Sequence, residues 1–178
     1  MLRVYPILTL CLLFLLPNSS QASHVAGVEL SYFCVNNCTI RVELSAYREC
    51  DGATTITNTV NFVPQTTNCT IPTPVGAWSN LMVTEITPIC PGFTPTRCTD
   101  PNSPYRGVQE FYWFRDYEIC SSPNCLFTLE WSTCCRTGSI TSGASNQATA
   151  IFSTTLNTNL TTCNSSPKFN DTPSPYVC

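Results

Sequence analysis

Apolar and polar residues alternate with a period of two over much of this chain, the pattern of strands that bury one face. The clearest case runs from Thr39 to Tyr47. Ile40, Val42, Leu44 and Ala46 fall on one face, and Thr39, Arg41, Glu43 and Ser45 on the other. Leu126 to Thr133 repeats it, with Phe127, Leu129 and Trp131 expected inward and Thr128, Glu130 and Ser132 outward. Val28–Phe33, Thr54–Val63, Val83–Ile89 and Ala148–Leu156 also read as strands, from their β-branched and aromatic residues. Val108–Ile119 carries aromatics on both faces, which predicts a central strand or one with a bulge.

Turn signals separate these runs. Val35-Asn36-Asn37 predicts a hairpin turn, because asparagine tolerates positive φ, and Cys34 and Cys38 flank it. Asp51-Gly52 marks a second turn. Pro91 to Pro104 reads as a long loop pinned by Cys90 and Cys98, and Gly138–Ser145 as a loop of small residues. Helix signals are nearly absent. Short alternating strands joined by turns predict an all-β, disulfide-rich β-sandwich of Ig-like type with long loops.

The first residues break this pattern. Arg3 is followed by an apolar run from Val4 to Leu16, then by Pro17 and Asn18, then by Ser20-Gln21-Ala22. That order is a secretory signal peptide, with cleavage expected after Ala22. A run of 13 residues is too short to span a bilayer, which takes about 20. Bulky Leu10 before Cys11 excludes a lipoprotein reading. No later run is long and apolar enough to cross a membrane, so no transmembrane segment is expected after cleavage. The domains expected are 1–22 signal peptide, 23–156 disulfide-linked sandwich, and 157–178 a linker or the start of a following domain.

Export changes the meaning of the cysteines. Of 13, 12 follow position 22: Cys34, Cys38, Cys50, Cys69, Cys90, Cys98, Cys120, Cys125, Cys134, Cys135, Cys163 and Cys178. In an oxidising compartment such a density predicts disulfides, each adding about 2–4 kcal/mol of stability. Their connectivity stays open, except that Cys134 and Cys135 point to opposite faces of a strand and should bond different, distant cysteines. Zinc is not expected, because there is no Cys-x-x-Cys pair and the spacings Cys34-x3-Cys38 and Cys120-x4-Cys125 are loose.

Only 11% of residues are charged, against about 25% in ordinary soluble domains. After position 22 there are 7 basic and 11 acidic side chains, a net −4 with histidine neutral, and no basic patch. Nucleic acid is therefore not an expected partner. The single histidine, His24, lies near the mature N-terminus, a poor place for a base held beside a nucleophile. Asp116 with Glu118, and Glu49 with Asp51, are carboxylate pairs at period-two spacing. A glycosidase would need such a pair across a cleft, whereas solvated strand and turn acids are far commoner. Aromatics among Phe111–Phe114 are candidates to stack on glycans, although in a sandwich they more often fill the core. Asn37, Asn68, Asn159, Asn164 and Asn170 match the N-glycosylation pattern, which matters only in a eukaryote.

Four stretches carry a resemblance. They are Ser23-His24-Val25-Ala26-Gly27-Val28-Glu29-Leu30-Ser31-Tyr32, Tyr47-Arg48-Glu49-Cys50-Asp51-Gly52, Trp131-Ser132-Thr133-Cys134-Cys135-Arg136, and Ser166-Pro167-Lys168-Phe169 leading to Pro175-Tyr176-Val177-Cys178. In this order they resemble the N-terminal region of large secreted Bacteroidota surface proteins. Those proteins carry PKD-like (Ig-type) repeats and a gliding-motility-associated C-terminal sorting domain. The chain departs from the family at Val28, Glu49 and Thr137, and Cys38 is an added cysteine. The resemblance implies Sec export, type IX delivery to the cell surface and continuation in a longer chain. It supplies no catalytic residues, and no cofactor-binding or metal residues are expected in this chain.

The expectation is thus a non-enzymatic extracellular structural or adhesive module, with an unknown extracellular protein or glycan as partner and no cofactor. The alternative is a secreted polysaccharide-acting hydrolase or its carbohydrate-binding module.

Overall fold

A computed structural model describes residues 25–52, 55–87, 92, 95–133, 149–159 and 163–167. They form eight strands: β1 (Val25–Asn36), β2 (Thr39–Glu49), β3 (Asn61–Pro64), β4 (Thr73–Val75), β5 (Met82–Glu85), β6 (Val108–Glu118), β7 (Leu126–Thr133) and β8 (Ala150–Asn157). No helix occurs among the described residues. The five-stranded sheet runs β1-β2-β6, with β4 and β5 both pairing the far side of β6, and the other sheet runs β3-β7-β8. Every pairing is antiparallel.

The alternation read from the sequence becomes the core. Ile40, Val42, Leu44 and Ala46 are fully buried on β2, and Phe127, Leu129 and Trp131 on β7. Between the sheets, Tyr32, Phe62, Tyr117 and Leu156 close one end, while Val25, Phe111 and Trp113 pack around Trp131 at the other. The Trp131 indole N–H would be costly to bury unpaired. It donates to the carbonyl of Thr57 at 2.8 Å.

β6 is central, as its two-faced aromatic pattern predicts. Its register with β2 runs without a bulge from Val108 to Glu118, and the register shifts lie at the two ends of β1 instead. The β1–β2 turn falls at Asn37-Cys38, with Asn36 opposite Thr39. Among non-glycine residues the positive φ values belong to Asn68 and Asn124, not to Asn36 or Asn37. Each of those asparagines immediately precedes a half of the Cys69–Cys125 bridge. A left-handed residue there turns the chain so that both cysteines meet.

Several strand boundaries differ from expectation. Within Thr54–Val63 the described residues before Asn61 are irregular, and pairing with β7 begins only at Asn61. β5 ends at Glu85, so Ile86 and Thr87 lie outside it. β4 lies beside Pro72 and includes Pro74, where the sequence shows no strand signal. Proline donates nothing to a ladder and is tolerated at an edge. The signal peptide, His24, Cys90, Cys134, Cys135, Cys178 and the Gly138–Ser145 loop lie outside the described residues.

Residues 163–167 lie along the free side of β1. Ser166 N–H donates to Tyr32 O at 2.9 Å, Tyr32 N–H donates to Ser166 Oγ at 2.9 Å, and Cys163 is bonded to Cys34. Part of the stretch expected as a linker is therefore fastened to the sandwich.

Candidate functional site

The face of the five-stranded sheet turned away from the core is built by register. Phe33, Arg41 and Asp116 form one row across β1, β2 and β6; Ser31, Glu43 and Phe114 form the next; Glu29, Ser45 and Tyr112 the third; Gly27, Tyr47 and Glu110 the fourth. Residues directly opposite on neighbouring strands have Cβ atoms about 5 Å apart, so these rows are contact rows. Arg41 donates from Nε to Asp116 Oδ1 at 2.7 Å and from Nη2 to Oδ2 at 3.0 Å. Its guanidinium lies 4.3 Å from the Phe114 ring centroid and 5.9 Å from that of Phe33. The hydrogen bond to Asp116 raises the arginine pKa, burial opposes this, and the nearby negative groups add to it.

One row over, the Tyr112 hydroxyl donates to Glu43 Oε1 at 2.6 Å. Burial, then that hydrogen bond and the Glu43 charge, push the phenol pKa well above its ordinary value. Phe111 and Trp113 point the other way, into the core, while Tyr112 and Phe114 are half-buried on this outer face. The run Phe111–Phe114 therefore places two rings in the core and two on the outer face. The outer face is a rigid patch of half-buried rings and paired charges.

Both candidate carboxylate pairs are engaged within the fold. Asp116 holds Arg41, and Glu118 Oε1 accepts the Cys120 N–H at 2.7 Å. Glu49 pairs with Arg106 at 3.1 Å and Asp51 with Arg97 at 2.5 Å. Between these two acids sits Cys50, bonded to Cys98. Three successive residues, Glu49-Cys50-Asp51, thus clamp the loop from Thr96 to Gly107 onto the end of β2. Arg97 Nε also donates to Ser103 O at 2.9 Å, and Cys50 N–H donates to Gly107 O at 2.9 Å. Burial works to raise the Asp51 pKa, but hydrogen bonds from Arg97 and from its own backbone, with the charges of Arg106 and Arg97, leave it lowered.

Eight of the predicted disulfide cysteines meet. Cys34 bonds Cys163, Cys38 bonds Cys120, Cys50 bonds Cys98 and Cys69 bonds Cys125, with Cα separations of 5.4, 4.9, 4.9 and 5.8 Å. These lie within the range a disulfide spans. Cys34 and Cys38, which flank one turn, go to different partners, and the loop read as pinned by Cys90 and Cys98 is held at Cys98 by Cys50. Cys38, Glu118 and Cys120 bring three possible ligand atoms within 4.8 Å of one another. Two of those atoms are the sulfurs of one disulfide, which lack thiolate charge, so the group is not a metal site while the bridge stands.

The arginines were not singled out in the sequence. Their signal was weak: Arg41 alternates correctly for an exposed strand position, and nothing local names Asp116, 75 residues away, as its partner. No helix of the described residues is long and apolar enough to cross a membrane. Four bridges in one small fold belong to an oxidising, non-cytoplasmic compartment. No family model matches the chain, and no curated protein or solved structure matches it either.

Proposed function

We propose that this chain is a non-enzymatic, extracellular structural or adhesive module of a larger cell-surface or secreted protein. The observation that carries the reading is how its polar candidates are used. Glu49, Asp51 and Asp116 hold arginines, Glu118 caps the Cys120 amide, and four bridges fasten chain ends and loops to the two sheets. Such cross-linking suits a module that keeps its shape outside the cell and offers surfaces rather than chemistry. The four sequence stretches support placing it at the N-terminus of a Bacteroidota surface protein delivered by type IX secretion.

The test is to read the coding sequence beyond Cys178 and to locate the exported protein. Ig-like repeats followed by a sorting domain, with a mature N-terminus at Ser23 on protease-accessible cell surface, support the reading. A catalytic domain downstream, or a cytoplasmic protein retaining its leader, overturns it. The second reading, a carbohydrate-binding module, is favoured by the half-buried rings of Phe33, Tyr112 and Phe114 on the outer face. Retention of the exported chain on insoluble polysaccharide, lost in Phe114→Ala, would support it.

A further inference from the structure

The two edges of the five-stranded sheet are finished differently. Beside β1, residues 163–167 supply hydrogen bonds and the Cys34–Cys163 bridge. On the opposite side, β4 and β5 pair only with β6, and no described residue pairs with their outer backbone. That edge also collects the exposed grease. Nine large hydrophobic side chains are exposed among the described residues, and six of them, Ile71, Val75, Leu81, Met82, Val83 and Ile86, fall between positions 71 and 86. Met82 shares the outer face with Tyr112, while Val83 stands opposite Phe111 on the core-side face, yet both are about half exposed. Both faces of β5 therefore carry exposed apolar surface.

We infer that this edge is a homodimer interface, in which β5 of one copy lies antiparallel to β5 of a second. Three observations select a second copy. The first is charge: from Ile71 to Ile86 the only ionisable side chain is Glu85, which already accepts hydrogen bonds from Thr87 and Thr96. With Glu85 and the Arg115 guanidinium held on Gly76 O as the charges at this edge, two copies meet with little like-charge repulsion, and β5 itself, which has no lysine, proline or bulge, invites pairing.

The second is area. At 38% to 51% exposure, the six side chains present roughly 500 Å² in total, spread along the edge and over both of its faces. An ordinary interface buries about 800 Å² per partner, and homodimer interfaces are about 65% apolar. That requirement is about what the edge carries. The third is symmetry, since a two-fold axis through β5 satisfies the open backbone of both copies and joins two five-stranded sheets into one. Among the described residues β8 is the other long strand with an unpaired side, and it is less suited: the Tyr32 hydroxyl donates to Thr155 O at 2.9 Å, and Ile151 is its lone exposed large hydrophobic residue.

Sedimentation equilibrium of the exported chain at about 50 µM tests this, since an interface of this size holds in the micromolar range or tighter. The wild type is expected to sediment as a dimer. The double variant Met82→Lys/Val83→Lys, and separately Leu81→Lys, should raise the dissociation constant at least about 100-fold by placing charge in a desolvated contact. Ile151→Lys, outside the edge, should leave it unchanged. Circular dichroism and mapping of the Cys50–Cys98 bridge establish that each variant is folded, and Leu81→Lys decides if the double variant is not. A monomeric wild type overturns the proposal. So does a dimer that survives the folded edge variants, or one that Ile151→Lys dissociates.

Discussion

Gly107 lies against the Cys50–Cys98 bridge so closely that a Cβ at its position would overlap the Sγ of Cys98. The same Cβ would stand 2.8 Å from Thr96 Oγ1 and 3.1 Å from Cys50 Sγ. A disulfide cannot swing aside as a lysine tip can, and Gly107 O is itself bound by Cys50 N–H. Gly107→Ala is expected to lower stability by about 1–3 kcal/mol, the usual cost of overpacking. Urea denaturation of the oxidised protein measures it, and an unchanged midpoint would mean that the loop shifts freely.

The Arg41–Asp116 pair separates a structural acid from a catalytic one. Its groups are a quarter to a third exposed, so screening limits their attraction. Asp116→Asn should cost about 1 kcal/mol, with much of that loss absent in an Arg41→Met background, as a double-mutant cycle would show. If Asp116 were instead part of a hydrolytic pair, the substitution would abolish polysaccharide turnover and barely move the unfolding midpoint.

Asp51 predicts one component of the acid limb of stability. Its pKa is lowered in the folded protein, with the Arg97 hydrogen bond among the causes that outweigh burial, so near its unfolded value of about 3.9 the folded chain binds fewer protons than the unfolded one. Its contribution is present above that value and is lost as the pH falls through the lower folded value. The stability gap between wild type and Asp51→Asn should therefore narrow between about pH 5 and pH 2. A gap that stays constant over that window would show that the ion pair does not govern the titration.

Four cysteines after position 22, Cys90, Cys134, Cys135 and Cys178, lie outside the described bridges. The sequence alternation of Phe127, Leu129 and Trp131, carried on past the described residues, predicts Cys135 on their side and Cys134 on the other. Adjacent cysteines so directed do not readily bond each other. Non-reducing peptide mapping should find each joined to a different cysteine, with Cys90 and Cys178 the partners left for them in this chain. A Cys134–Cys135 linkage, or a free thiol at either, would show that the alternation stops at Thr133.

Strands with one wholly buried face were the legible ones. β7 occupies the predicted Leu126–Thr133, and β2 the predicted run plus two residues. Burial there repeats at every second residue and leaves no other register, since a one-residue slip would expose Leu44 or Leu129. The edges were not legible. Thr55 to Val60 has the composition of a strand but pairs with no strand among the described residues, whereas Thr73–Val75 pairs with β6 despite Pro74. At an edge, the neighbour that happens to lie alongside outweighs intrinsic preference.

What the chain determines by itself is local. A period of two needs only neighbouring residues, so the inward faces of β2 and β7, the central place of β6 and the all-β class follow from the order of side chains alone. What only the tertiary structure decided is long-range: Arg97 reaches Asp51 across 46 positions, Arg41 reaches Asp116 across 75, and Cys34 finds Cys163 across 129. No periodicity encodes such a meeting, because it depends on how two sheets stack and which loops that stacking brings together. The same stacking leaves one edge sealed by a disulfide, and the other, from Ile71 to Ile86, apolar and without a pairing strand among the described residues.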